Sequence, residues 1–199
     1  MSVKSNCIAI LCAILIPTTA SRQQGVPTQL DECRFITAAD LSDPKAPIFE
    51  AYPAATREPV LNPKLDLMSN PIARRYRTVL RLEIAEGPNY AGHYRVAFWG
   101  CGSSCAMFAV VNLKTGRVIT AREFKTVLGT HLAADEFLPN TASDGWGFRY
   151  KRDSFLLVVV GAPDEDDSRE GAYYFALRGE RLRLIHTTLV RKNCENSKP

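Results

Sequence analysis

A chain of 199 residues, 46% of them hydrophobic, is long enough for one domain that buries a full core without help. Its formal net charge of +4 is too small an excess to mark a nucleic-acid binder. Beyond the first 20 residues no apolar stretch approaches the roughly 20 needed to span lipid, so composition points away from a membrane span.

The first 20 residues carry one cation, Lys4, then the apolar run Cys7 to Ile16 and the small-residue end Pro17-Thr-Thr-Ala20 before polar Ser21. That pattern is expected of a secretory signal peptide cleaved after Ala20, which places the mature protein in the periplasm or outside the cell. Cys12 lies inside the apolar run behind Ile10-Leu11, where a lipidation site wants a small residue, so the run reads as a cleaved leader. Residues 21–32 are polar and read as a flexible mature N-terminus, with a single globular domain over 33–195.

Four cysteines remain in the mature chain, Cys33, Cys101, Cys105 and Cys194, and an even count after export argues for two bridges among three possible pairings. Proximity favours Cys101 with Cys105, since tying either to a distant partner crowds the other, and Cys33 with Cys194 then joins the two ends. Closing a loop of about 160 residues is worth roughly 5 kcal/mol against about 2 for a five-residue loop, so the terminal bridge is a stability device and the small one a shape device.

In chain order, prolines recur from Asp40 to Pro63, which suits an extended surface segment with one short strand at most. Pro71 to Glu86 reads as the main helix: Asn70 caps it, Pro71 takes the first position and Gly87-Pro88 stops it. Ile72, Tyr76, Val79 and Leu80 share a face that should lie on a sheet, while Arg74, Arg77 and Arg81 lie opposite, as either a solvated face or an anion-facing patch for phosphate, acidic glycans or a partner.

The stretch Pro88 to Ile119 organises the rest: apolar runs Tyr94 to Trp99 and Ala106 to Leu113 flank a Gly/Ser/Cys knot, and a Lys-Thr-Gly-Arg turn leads to a third run. A polar, variable segment from Thr120 to Asp144 follows, anchored by Phe124, Val127, Leu132 and Phe137. Further strands are expected at Gly145 to Tyr150, Phe155 to Val160, Ala172 to Leu177 and Leu182 to Leu189, the last two joined by an Arg178-Gly179-Glu180 hairpin turn. The class is therefore α+β and β-rich, an antiparallel sheet of about seven strands, curled or sandwich-like, carrying the 71–86 helix.

Pro88-Asn-Tyr-Ala-Gly-His-Tyr94, Trp99-Gly-Cys-Gly-Ser-Ser-Cys105 and Thr115-Gly116-Arg-Val118 together resemble the core of a family of exported bacterial proteins of unknown function. The likeness extends over Ser154-Phe-Leu-Leu-Val, Gly161 and Tyr173-Tyr174, roughly Pro71 to Cys194. It implies an exported, bridged, single-domain β-rich protein and brings no activity with it.

Chemistry is hard to place on this core. Dithiol oxidoreductases separate their cysteines by two residues at a helix start, whereas Cys101 and Cys105 enclose three and no helix pattern follows. Zinc on Cys101, Cys105 and His93 needs a further ligand and reduced thiols, which export disfavours. His186 follows Leu182 and Leu184 on one strand face as a structural histidine would, and His131 sits in a loop. The acidic run Asp164 to Glu170 lacks the spacing of a calcium loop and reads as a solvated turn. The expectation is thus a non-catalytic protein without cofactor or metal, binding an envelope protein or glycan through His93, Tyr94, Trp99, Ser103 and Ser104. The alternative is an envelope hydrolase that uses His93 with a nearby serine or acidic group. Replacing Cys33 with alanine is expected to lower the melting temperature much more than replacing Cys105, and a thermal melt showing the reverse order contradicts the loop-entropy argument.

Overall fold

The computed structural model describes residues 39–56, 63–129 and 147–190; the expected leader and flexible N-terminus, Cys33, Cys194, His131, Leu132 and Phe137 lie outside them. Among the described residues the chain builds one open antiparallel sheet of eight strands. These are β1 (Tyr94–Gly102), β2 (Cys105–Asn112), β3 (Val118–Ile119), β4 (Thr126–Leu128), β5 (Phe148–Tyr150), β6 (Leu156–Pro163), β7 (Gly171–Leu177) and β8 (Leu182–Leu189). The β-rich α+β class is as expected, and β4 is the strand that the sequence pattern did not show.

The main path through the sheet runs β1-β2-β4-β6-β7-β8, with β3 also beside β2 and β5 also beside β6. It comprises two halves that share only β4. Period-two alternation divides each strand between faces. On β2, Ala106, Phe108 and Val110 point inward and Ala109 and Val111 outward; on β6, Leu157 and Val159 point inward and Leu156, Val158 and Val160 outward. Both faces are covered, which is why these strands are continuously apolar in sequence. The sheet curls as well. Phe108 on β2 reaches Phe148 on β5 at 5.3 Å between ring centroids and Phe175 on β7 at 6.4 Å, although β2 pairs with neither strand.

Two helices cover the outer face of the first half, and Leu41, Ala46, Phe49 and Tyr52 cover that of the second. Asn70 caps the helical segment as expected, its side chain accepting from the Ile72 N–H at 2.9 Å. The expected single helix is instead two, α1 (Pro71–Arg75) and α2 (Arg77–Ala85), because Tyr76 leaves helical geometry at φ −110° and ψ 27°. Hydrogen bonds continue across it, from Tyr76 N–H to the Ile72 carbonyl at 2.9 Å and from Leu80 N–H to the Tyr76 carbonyl at 3.0 Å, so the break is a kink. The Tyr76 ring lies on Trp99 with centroids 4.8 Å apart, a tertiary contact that overrides local propensity.

Gly116 fixes the approach to this layer. Its φ of +76° closes the turn after β2, and an added Cβ would stand 1.9 Å from the Lys64 carbonyl oxygen, so only glycine lets residues 63–70 lie on the turn. Ser69 then accepts the Val118 N–H through its hydroxyl oxygen at 3.0 Å. The helix face makes a direct test possible, since Leu80 is fully buried and neighbouring Leu82 is 67% exposed. Leu80→Ala is expected to cost about 3 kcal/mol in urea unfolding and Leu82→Ala less than about 0.5, and equal costs would show that α2 does not pack by this face.

Candidate functional site

The hairpin joining β1 and β2 ends in a two-residue turn, Ser103-Ser104, and a Cys101–Cys105 disulfide closes it with Cα atoms 5.2 Å apart. Pairing passes from Gly100 opposite Ala106 to Gly102 opposite Cys105, so Cys101 is the extra residue of a bulge. Ser104 holds φ at +56°. Residues 100–103 are exposed while Cys105 is buried, and the Ser104 carbonyl accepts from Gly129 N–H at 2.9 Å. The turn is thereby fastened twice, covalently to β2 and by a hydrogen bond to the residue after β4.

Tyr94 and Trp99, expected as exposed contacts, are not on that surface. Tyr94 is 8% exposed in the aromatic core, where burial first and the Glu180 charge second push its phenol pKa up. Trp99 is half-buried on the outer face beneath Tyr76, and its indole N–H has no hydrogen-bond partner among the described residues. Strand alternation places one ring on each covered face, so the two do not form one exposed surface at the tip.

His93 stands at the opposite end of β1 from the turn. Its ring is 4.4 Å from that of Tyr94 and its carbonyl accepts from Leu113 N–H at 3.1 Å. Ser103 lies ten residues further on, about 30 Å along an extended strand, so the histidine and serines of the hydrolase reading are not brought together. Arg74, Arg77 and Arg81 are all exposed on the helices, as the sequence reading has them.

His186 differs from expectation in its facing. On β8 the pairing jumps from Phe175 opposite Leu184 to Tyr174 opposite His186, so Ile185 is an extra residue. A one-residue bulge turns the histidine away from the Leu182 and Leu184 side to the outer face. There His186 Nε2 lies 2.7 Å from an Asp43 carboxylate oxygen that also accepts from the Thr188 hydroxyl at 3.1 Å. The Lys45 backbone N–H and then His186 hold the Asp43 carboxyl below its ordinary value. This is a structural tether for the covering segment.

The acidic turn is also structural. Asp164 accepts from the Lys125 N–H at 2.9 Å and the Thr126 N–H at 3.2 Å, and Asp166 accepts from the Ser168 N–H at 3.1 Å. Among the described residues no group of three or more His, Cys, Asp or Glu is placed to hold a metal ion, and no helix is long and apolar enough to cross a membrane.

One polar cleft of about 390 Å³ escaped the sequence reading: Arg117 and Arg122, on either side of β3, line it together with Arg181, which precedes β8. Glu180 beside them accepts from Asn112 Nδ2 at 2.6 Å and lies 3.7 Å from Arg117. No known family model matches this sequence, and no curated protein or solved structure matches it either.

The Asp43 tether sets a pH dependence. A carboxyl held low in the folded state adds stability above the unfolded value, near pH 4, and loses it as pH falls through the folded value. In acid titrations followed by circular dichroism, the stability advantage over Asp43→Asn is expected to be full near pH 6 and to shrink as pH falls below about 4; a pH-independent difference contradicts the tether.

Proposed function

We propose that this chain is an exported, non-catalytic binding protein of the bacterial periplasm or exterior, which holds an envelope protein or glycan against the tip of its β1–β2 hairpin. The observation that carries the reading is the tip itself: residues 100–103 are exposed beyond strands covered on both faces, and both fastenings meet there. A loop already held in one shape loses little conformational entropy when a partner engages it. The main chain of Gly100 and Gly102 and the hydroxyls of Ser103 and Ser104 supply the contacts, and Arg74, Arg77 and Arg81 form an accompanying anion-facing patch. The leader-like first 20 residues and the disulfide support an oxidising compartment.

A photo-crosslinking residue at Ser103, with one at exposed Glu50 as control, tests this in living cells. A discrete adduct from Ser103 alone, lost when Cys101 and Cys105 are both alanine, is expected. Equal adducts from both positions, or none from Ser103, would sink the proposal.

A further inference from the structure

Along one edge of β2 the partner strand is interrupted. Ile119 of β3 stands opposite Val110 and Thr126 of β4 opposite Met107, so Phe108 and Ala109 are bypassed by the six residues 120–125. The surplus leaves the sheet without a ladder partner beside Phe108 and sends Phe124 into the inner core. The opening is a cleft of about 450 Å³ bounded by Ile72 and Tyr76 of the kinked helices and by Phe108, Ala121 and Phe124. That volume falls among small-molecule sites, which run from about 300 to 1,000 Å³.

Its chemistry is two-sided. Phe108 and Phe124, with ring centroids 6.0 Å apart, give an apolar floor. Arg75 and Lys125 also line the cleft, and among the described residues no carboxylate does. Neither cation is paired with a carboxylate among the described residues. The Arg75 guanidinium lies over the Tyr76 ring, 5.5 Å from its centroid, and Asp164 fixes the Lys125 backbone through the 2.9 Å bond described above. Two cations beside an aromatic floor complement a ligand with an apolar body and one anionic group.

We propose that this cleft binds an amphiphilic anion, with an aromatic or acyl body over Phe108 and a carboxylate, sulfonate or phosphate held by Arg75 and Lys125. The site is separate from the hairpin tip and does not rest on the binding role proposed for it.

Two fluorescent probes test the inference on the mature protein: 8-anilinonaphthalene-1-sulfonate and N-phenyl-1-naphthylamine, which has the same aromatic body without the sulfonate. Saturable one-to-one binding of the sulfonate, at least about tenfold tighter than the neutral probe, is expected. Arg75→Gln with Lys125→Gln removes that preference without changing the melting temperature, and Ala121→Trp removes both probes. Lys125→Glu, at an exposed position, lowers the preference whether or not the tryptophan variant folds. Displacement by dodecanoate marks an acyl ligand, and displacement by 1-naphthoate alone an aryl one. No binding, equal affinity for the two probes, a preference that survives the charge changes, or sulfonate bound to folded Ala121→Trp overturns the proposal.

Discussion

The two halves of the sheet meet along three residues. Val127 stands opposite Ala106 of β2 on one side and Pro163 of β6 on the other, and Leu128 likewise opposes Cys105 and Ala162. Every aromatic contact across the curl, such as that of Phe108 with Phe175, presupposes that this seam keeps the halves in register. Its surroundings are built for it. Gly161 takes φ +144° there, and an added Cβ would stand 2.3 Å from the Leu128 carbonyl oxygen, so the close crossing of β4 and β6 requires glycine.

The same seam connects the hairpin tip, the acidic turn and the cleft beside Phe108. Gly129, one residue past β4, donates to the Ser104 carbonyl, while Asp164, one residue past β6, receives the Lys125 and Thr126 N–H groups and donates its own N–H to the Thr126 carbonyl at 2.9 Å. The clipped hairpin, the acidic turn and the segment 120–125 are therefore fixed to one another through a short segment. A carboxylate that accepts main-chain N–H groups, as Asp164 does, has a positional role in the turn. The cleft over Phe108 follows from the same arrangement: β4 must reach across to β6, and residues 120–125 cannot also stay paired to β2.

Much of this was legible in the sequence where runs are long. β1, β2, β6, β7 and β8 each carry enough β-branched and aromatic residues to declare themselves, and Asn70-Pro71 marks the helix start. β4 was not legible, because three residues with Val127 alone fully buried leave no periodicity to detect. Nor was the kink at Tyr76, which answers to Trp99, a partner 23 residues further along. Alternation reveals that Tyr94 and Trp99 point to different faces; it does not reveal that both faces are covered. The His186 facing was lost to a bulge, and the arginine cleft to the roughly 60 residues that separate Arg181 from Arg117 and Arg122.

The structure thus separates a rigid, polar tip from an apolar cleft with cationic walls, and it keeps His93 at the end of β1 remote from the tip serines. A binding role needs the tip to keep its shape and its place relative to the core, which is what β4 supplies. Hydrogen exchange at the Gly129 and Asp164 amides measures this most directly. Both should exchange as slowly as the amides of β6, through global opening alone; exchange within about tenfold of the unstructured rate would show that the seam opens locally and that the tip is not held.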